Sequence, residues 1–169
     1  YSESHAAFKR YDPERLLFGD RNGFNIPACV VEESIPYVDV ISVQPDVGGG
    51  DFPGEAFDKL HKLTGKPVII SDWNFSYKPS DFEFTEWFQF PTLSSCMEAY
   101  RKYLLAAFSK PYIIGYFKCR YWEEVLTPGK LRQGIRKLNG DLDEGLVKGL
   151  SEIHSELIDM FAREGRMSE

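Results

Sequence analysis

The chain has 169 residues, 43% of them hydrophobic and 15% aromatic, with a formal net charge of −6, and this length suits one domain, since such a domain buries roughly 70% of the surface its unfolded chain exposes. The acidic balance, with basic residues scattered rather than gathered in a stripe, argues against a nucleic-acid or anionic-membrane partner. No apolar run approaches the roughly 20 residues of a membrane-spanning helix, and the N-terminus lacks the basic and apolar regions of a signal peptide.

In chain order, residues 2–11 read as the end of a helix. A first apolar run at 16–19 predicts a strand, followed by a helix over 26–35 with Pro27 in its first turn. A second strand is expected at 38–43, then a helix over 53–63 that sets Phe57, Leu60 and Leu63 at helical spacing. The third strand is expected at 67–70. Ser95 and Glu98 resemble a capping box opening a helix with an apolar face of Met97, Tyr100, Leu104 and Phe108, ending near Ser109. A fourth strand at 112–117 precedes a last helix over 143–162 with a stripe of Leu146, Leu150, Ile153, Leu157 and Phe161. Strand and helix thus alternate four times, the signature of parallel βαβ units with right-handed crossovers. The runs are short, β-branched or aromatic, as in strands buried on both faces.

Two connections are longer than compact domains usually need: 73–93, rich in Trp, Phe and Tyr, and 119–142, with Tyr121 and Trp122. Both follow strands and belong to the carboxyl-terminal rim, where parallel α/β folds place their ligand sites. The strand ends supply Asp20 and Arg21, then Ser42, Gln44 and Asp46, then Asp72, and finally Lys118, Arg120 and Glu123. Polar groups ringed by aromatic side chains suit a sugar, whose CH faces pack on rings while its hydroxyls take hydrogen bonds. Against this stand plainer readings: Asp72 caps a loop, Asp20 and Arg21 form a structural ion pair, and the tryptophans pack a loop onto the rim. Gly48 to Gly50 lack the GK[ST] of a phosphate loop and read as a turn.

Cys29, Cys96 and Cys119 are odd in number and widely spaced, which fits buried free thiols rather than disulfides. His5, His61 and His154 show no ligand spacing, so no metal and no cofactor are expected. The chain opens on Tyr1 rather than Met, which reads as a processed or excised piece.

The segments YDPERLLFGDR, VDVISVQPD, GKPVIISDWNFSY and IIGYFKCRYWEE resemble, in order and spacing, the fifth to eighth strands of the (β/α)8 glycoside hydrolases of the retaining, two-carboxylate clan, especially agarase-like and β-galactosidase-like members. The resemblance covers Tyr11 to about Phe161. It implies an α/β fold, a parallel (βα)4 half of a TIM barrel in a single domain over 1–169. It also implies hydrolysis of β-glycosidic bonds in an agar- or galactan-type polysaccharide by double displacement, and an extracellular or periplasmic location. Asp72 matches the position of the family's nucleophile, usually a glutamate in a segment like KPVLIGEF. Lys118 stands where the family usually has a subsite tryptophan.

On the same basis Arg21, Gln44, Lys118 and Arg120 would hold substrate, with Trp73, Tyr77, Trp87, Tyr121 and Trp122 as stacking platforms. The family's acid/base glutamate lies before the helix ending at 11, outside this chain. The partners expected are therefore an oligo- or polysaccharide and either an N-terminal half-barrel or a second copy of this chain. The alternative is a non-catalytic carbohydrate-binding module, a degenerate barrel in which Lys118 pairs with Asp72 as a structural group. A response-regulator-like doubly wound domain shares the coarse pattern but leaves the aromatic loops unexplained.

Overall fold

The structure is a computed structural model, and it describes residues 1–45, 48–78, 88–123 and 134–165. The elements are α1 (Ser2–Tyr11), α2 (Ala28–Ser34), β1 (Ile41–Val43), α3 (Gly54–Thr64), β2 (Val68–Trp73), α4 (Leu93–Phe108), β3 (Ile113–Lys118) and α5 (Glu144–Arg163), with 3-10 turns at Ile35–Tyr37 and Gly48–Gly50. The strands form one three-stranded parallel sheet in the order β1-β2-β3, with Ile41 opposite Val68 and Val43 opposite Ile70. The protein is thus α/β. Asp46, Trp87 and much of both rim connections, 79–87 and 124–133, lie outside the described residues.

The chain divides into two compact units. The first comprises Tyr1–Asp46, Pro53–Trp73 and Lys110–Phe117; the second comprises Val47–Phe52, Asn74–Ser109 and Lys118–Glu169. In the first, the core gathers Val31, Val38, Val40, Phe57 and Trp73 with the strand residues Ile41, Val43, Val68, Ile69, Ile70 and Ile113. Helix α3 begins after Pro53 and ends on Gly65, whose φ of 64° is the left-handed conformation glycine adopts without a Cβ penalty, its amide bonding His61 O. Beside that end, Asp58 accepts hydrogen bonds from Lys110 Nζ at 2.7 Å and Tyr112 Oη at 2.6 Å. Both hold its carboxyl below the usual range, the lysine first, and His61 stacks on Tyr112 with centroids 4.2 Å apart.

The expected first strand does not form. Leu17 spends its amide hydrogen on Asp39 Oδ2 at 2.8 Å and its carbonyl on the amides of Asp39 and Val40. Gly19 then turns the chain at φ 67°, at a point where a Cβ would lie 2.6 Å from Val38 Cγ1. A side-chain acceptor and a left-handed glycine replace the ladder, and pairing resumes only at one bridge, Asn22 to Val43.

The second unit is built on α4 and α5. Thr92 Oγ1 accepts from Ser95 N at 3.1 Å while Ser95 Oγ accepts from Thr92 N, so the capping box is Thr92 with Ser95 rather than Ser95 with Glu98. Asp143 caps α5 by accepting from Leu146 N at 3.1 Å. Glycines on α5 let the helices approach: a Cβ on Gly145 would meet Leu93 Cδ2 at 2.5 Å, and one on Gly149 would meet Met97 Sδ at 2.4 Å. With Arg101 paired to Glu156 and Phe108 against Phe161, these contacts advance together along both helices, which therefore run parallel. Leu146, Leu150, Ile153 and Leu157 are buried as their spacing predicts, and so are Cys96, Tyr100, Tyr103 and Leu104 of α4. Among the three thiols only Cys96 is buried; Cys29 is exposed and Cys119 half-buried, since Cys29 falls on the outward side of α2, opposite the buried Val31 and Ser34.

Candidate functional site

In the first unit, β2 continues past the expected end at Ile70 and carries Asp72 as its penultimate residue. Asp72 has a φ of 50°, the left-handed region, and is the one non-glycine residue so placed among the described residues. Aspartate tolerates this better than longer or branched side chains, because its short polar group finds local hydrogen bonds. Its Oδ2 accepts a hydrogen bond from Arg21 Nη1, forming an ion pair with the aspartate side chain 23% and the arginine 54% exposed. Its Oδ1 has no hydrogen-bond partner among the described residues.

Arg21 is delivered by the Gly19 turn and anchored by its neighbour Asn22, whose amide bonds Ser42 O at 2.9 Å and whose carbonyl accepts from Gln44 N at 2.7 Å. Gln44 itself is exposed at the end of this ladder. Behind the acid, Ser42 Oγ donates to Ser71 Oγ at 2.8 Å across the two strands. Trp73 is fully buried and meets Tyr116 edge-on at 5.6 Å, a core position rather than an open stacking face; burial pushes the Tyr116 hydroxyl up to about 12.

In the second unit, the chain following β2 is fastened by Tyr100. Its hydroxyl accepts from Phe75 N at 3.0 Å and lies within donor reach of Asn74 Oδ1 and Phe75 O. The Phe75 ring is enclosed edge-on by Phe90, Tyr100 and Tyr103. Tyr77 is half-buried and donates its hydroxyl hydrogen to Asp143 Oδ2, the cap of α5. Lys118 is half-buried; burial drives its ammonium down to about 8, while the charges of Cys119, Cys96 and Asp143 pull the other way. Asp72 is thus paired with Arg21. Arg120 follows a cis Cys119–Arg120 peptide and is half-buried.

Tyr121 and Trp122 are open to solvent, 52% and 51% exposed. Their rings meet edge-on at 5.9 Å, and the Arg136 guanidinium lies 5.8 Å from the Tyr121 centroid and 5.5 Å from that of Trp122. Arg136 comes from 14 positions beyond Trp122, held by the Trp122–Arg136 bridge.

Two groups of the expected residues therefore assemble, each within its own unit: Arg21, Gln44 and Asp72 in the first, and Tyr121 and Trp122 in the second. Trp87 lies outside the described residues. The sequence reading missed Asn74, Tyr100, Asp143 and Arg136. Asp143 carried a signal, an acid just before a long apolar stripe; Arg136 carried none, since only the fold brings it to the rings. Among the described residues no group of three His, Cys, Asp or Glu side chains could hold a metal ion, and no helix is long and apolar enough to cross a membrane.

No protein-family model matches the chain, and no curated protein matches it. Solved structures do. The chain is similar to PfGH50B, with a TM-score of 0.82 at 20% identity over 94% of this chain and 24% of that one. An exo-beta-agarase matches with a TM-score of 0.80 at 21% identity, over 91% of this chain and 21% of that one. A beta-D-glucuronidase of Dictyoglomus thermophilum matches with a TM-score of 0.64 at 17% identity, over 90% and 28%. The chain spans between about a fifth and three tenths of the length of these proteins. Its fold is glycoside-hydrolase-like, an α/β arrangement of parallel strands and helices compatible with a fragment of a TIM barrel.

Proposed function

We propose that this chain is the C-terminal (βα)4 half, its first strand reduced to the Asn22–Val43 bridge, of a retaining (β/α)8 glycoside hydrolase that cleaves β-glycosidic bonds in an agar- or galactan-type polysaccharide, with Asp72 as nucleophile. The observation that carries the reading is Asp72 itself: a half-buried carboxylate at the end of β2, in a left-handed conformation, with one oxygen tied to Arg21 and the other uncommitted among the described residues. Proteins whose names include agarase and glucuronidase share the fold.

In this reading Arg21 fixes the carboxylate plane while Asp72 Oδ1 attacks the anomeric carbon. The glycosidic bond breaks, and its oxygen takes a proton from an acid/base carboxyl group supplied outside this chain, either by an N-terminal half-barrel or by a second copy. Water, deprotonated by the same group, then displaces the sugar from the aspartyl ester and restores both carboxyl groups. The two groups must stand only about 5 to 5.5 Å apart. Aspartate is one methylene shorter than glutamate, and the left-handed turn redirects the backbone under it, so reach is set by the strand as much as by the side chain.

The test is release of reducing ends from agar and β-linked galactan oligosaccharides by the full-length protein, its Asp72→Asn and its Asp72→Gly variants. Asp72→Asn should lose at least about a thousandfold in kcat, and azide should rescue Asp72→Gly by forming a glycosyl azide. Full activity in Asp72→Asn would remove Asp72 from the chemistry. Sugar binding without turnover in the wild type would favour the binding module.

A further inference from the structure

We propose that Tyr121, Trp122 and Arg136 form a subsite for an anionic sugar residue, a pyranose bearing sulfate or carboxylate; this rests on the sugar-directed reading above and names the substrate class. Two adjacent aromatic rings, each about half open to solvent, offer the apolar surface on which the CH face of a pyranose packs. A neutral sugar would ask for nothing more than hydroxyl partners beside them. Here a guanidinium stands over both rings instead.

That guanidinium is held in place before any ligand arrives. Arg136 N donates to Tyr121 O and Arg136 O accepts from Glu123 N, both at 2.8 Å. Its Nε donates to Tyr121 Oη at 2.9 Å and its Nη1 to Gly140 O at 2.5 Å. Two of the five N–H groups of the fork are thereby used among the described residues, and three remain to meet oxygen acceptors. A pre-set planar fork binds the oxygens of a sulfate or carboxylate in pairs, at little cost in side-chain freedom.

The Glu123 carboxylate is buried and accepts from Leu138 N at 3.3 Å, and Asp141 Oδ2 accepts from Asn139 Nδ2 at 2.7 Å.

The experiment is calorimetric titration of the full-length protein at low ionic strength with three tetrasaccharides of one β-linked galactan: unsubstituted, sulfated and uronate-containing. The wild type should bind at least one anionic form about tenfold more tightly than the neutral one, the worth of one charge-assisted pair. Which of the two it prefers tells sulfate from carboxylate. Arg136→Gln should abolish the preference while neutral binding persists. Arg136→Lys, which keeps the charge but not the fork, should retain only part of it, and Trp122→Ala should weaken all three. Equal binding of neutral and anionic forms by the wild type overturns the proposal and leaves the hydrolase reading standing, as does a preference that survives in both Arg136 variants. Failure of all three to bind overturns both.

Discussion

The hydroxyl of Tyr100, on helix α4, accepts the amide hydrogen of Phe75 at 3.0 Å, in a region where both residues are almost wholly buried. One phenol thus terminates the backbone that leaves β2, three residues beyond Asp72. Tyr100→Phe preserves the edge-on ring contact with Phe75 but strands a buried N–H, which costs about 1–3 kcal/mol. Scanning calorimetry should show the midpoint falling by about 2–4 °C for each kcal/mol lost. An unchanged midpoint would mean that this hydrogen bond contributes nothing net.

The left-handed backbone of Asp72 predicts an ordering of variants at that position. Glycine removes the steric penalty, so Asp72→Gly should gain up to about 1 kcal/mol, whereas Asp72→Val should lose more than that. Arg21→Ala should change stability by less than about 1 kcal/mol, because its guanidinium is 54% exposed and screened by solvent. Urea titration of the four proteins decides this. A stabilised valine variant would show that the turn is not strained.

Gly149 faces Met97 so closely that an added methyl would overlap both Sδ at 2.4 Å and Cγ at 2.8 Å. Alanine is favoured over glycine inside a helix by about 1 kcal/mol, and the overlap should cancel that gain. In a Met97→Ala background the obstacle is gone. Gly149→Ala should then stabilise by about 1 kcal/mol relative to that background, and the double-mutant cycle should return a coupling of similar size. Additive effects would deny the close helix contact.

Lys118 makes stability depend on pH. Its folded-state value, lowered to about 8, lies below the ordinary lysine value near 10.4. Below about pH 8 the amine is charged in both states and the full burial penalty is present. Between about 8 and 10.4 the unfolded chain binds more protons, so this group's contribution rises with pH. Cys96, raised to about 12 by burial, acts oppositely above about pH 9, since its thiol ionises first in the unfolded chain. The readout is therefore the difference between wild type and Lys118→Met. That difference should favour Met at pH 7 and shrink towards pH 10, and a flat difference would contradict the burial of the amine.

Helices were more legible than strands or the site. Glu144–Arg163 follows from spacing, because an amphipathic stripe is a local property of the sequence. The run at 16–19 looks equally strand-like, yet the competition that dissolves it, Asp39 Oδ2 taking Leu17 N, comes from 22 positions away. The same limit hides the site's charge pairing: Arg21 reaches Asp72 across 51 positions. Position at a strand end singled out Asp72 as a candidate, and the structure places it at the end of β2 beside Arg21. What position could not supply was the pairing of Arg21 with Asp72, or the arrival of Arg136 at the rings, because both depend on how the backbone is routed.

The parallel approach of α4 and α5 pairs residues about 52 positions apart, as with Met97 and Gly149. Everything between the helices, β3 and the rim carrying Tyr121 and Trp122 included, is one excursion closed by that contact. The entropy of closing a flexible excursion grows only with the logarithm of its length, so doubling it costs about 0.6 kcal/mol. Length in the rim is therefore thermodynamically cheap, while the two glycines that let the helices meet are not. Descendants of this chain could graft new recognition surfaces there by insertion and leave the helix pair untouched.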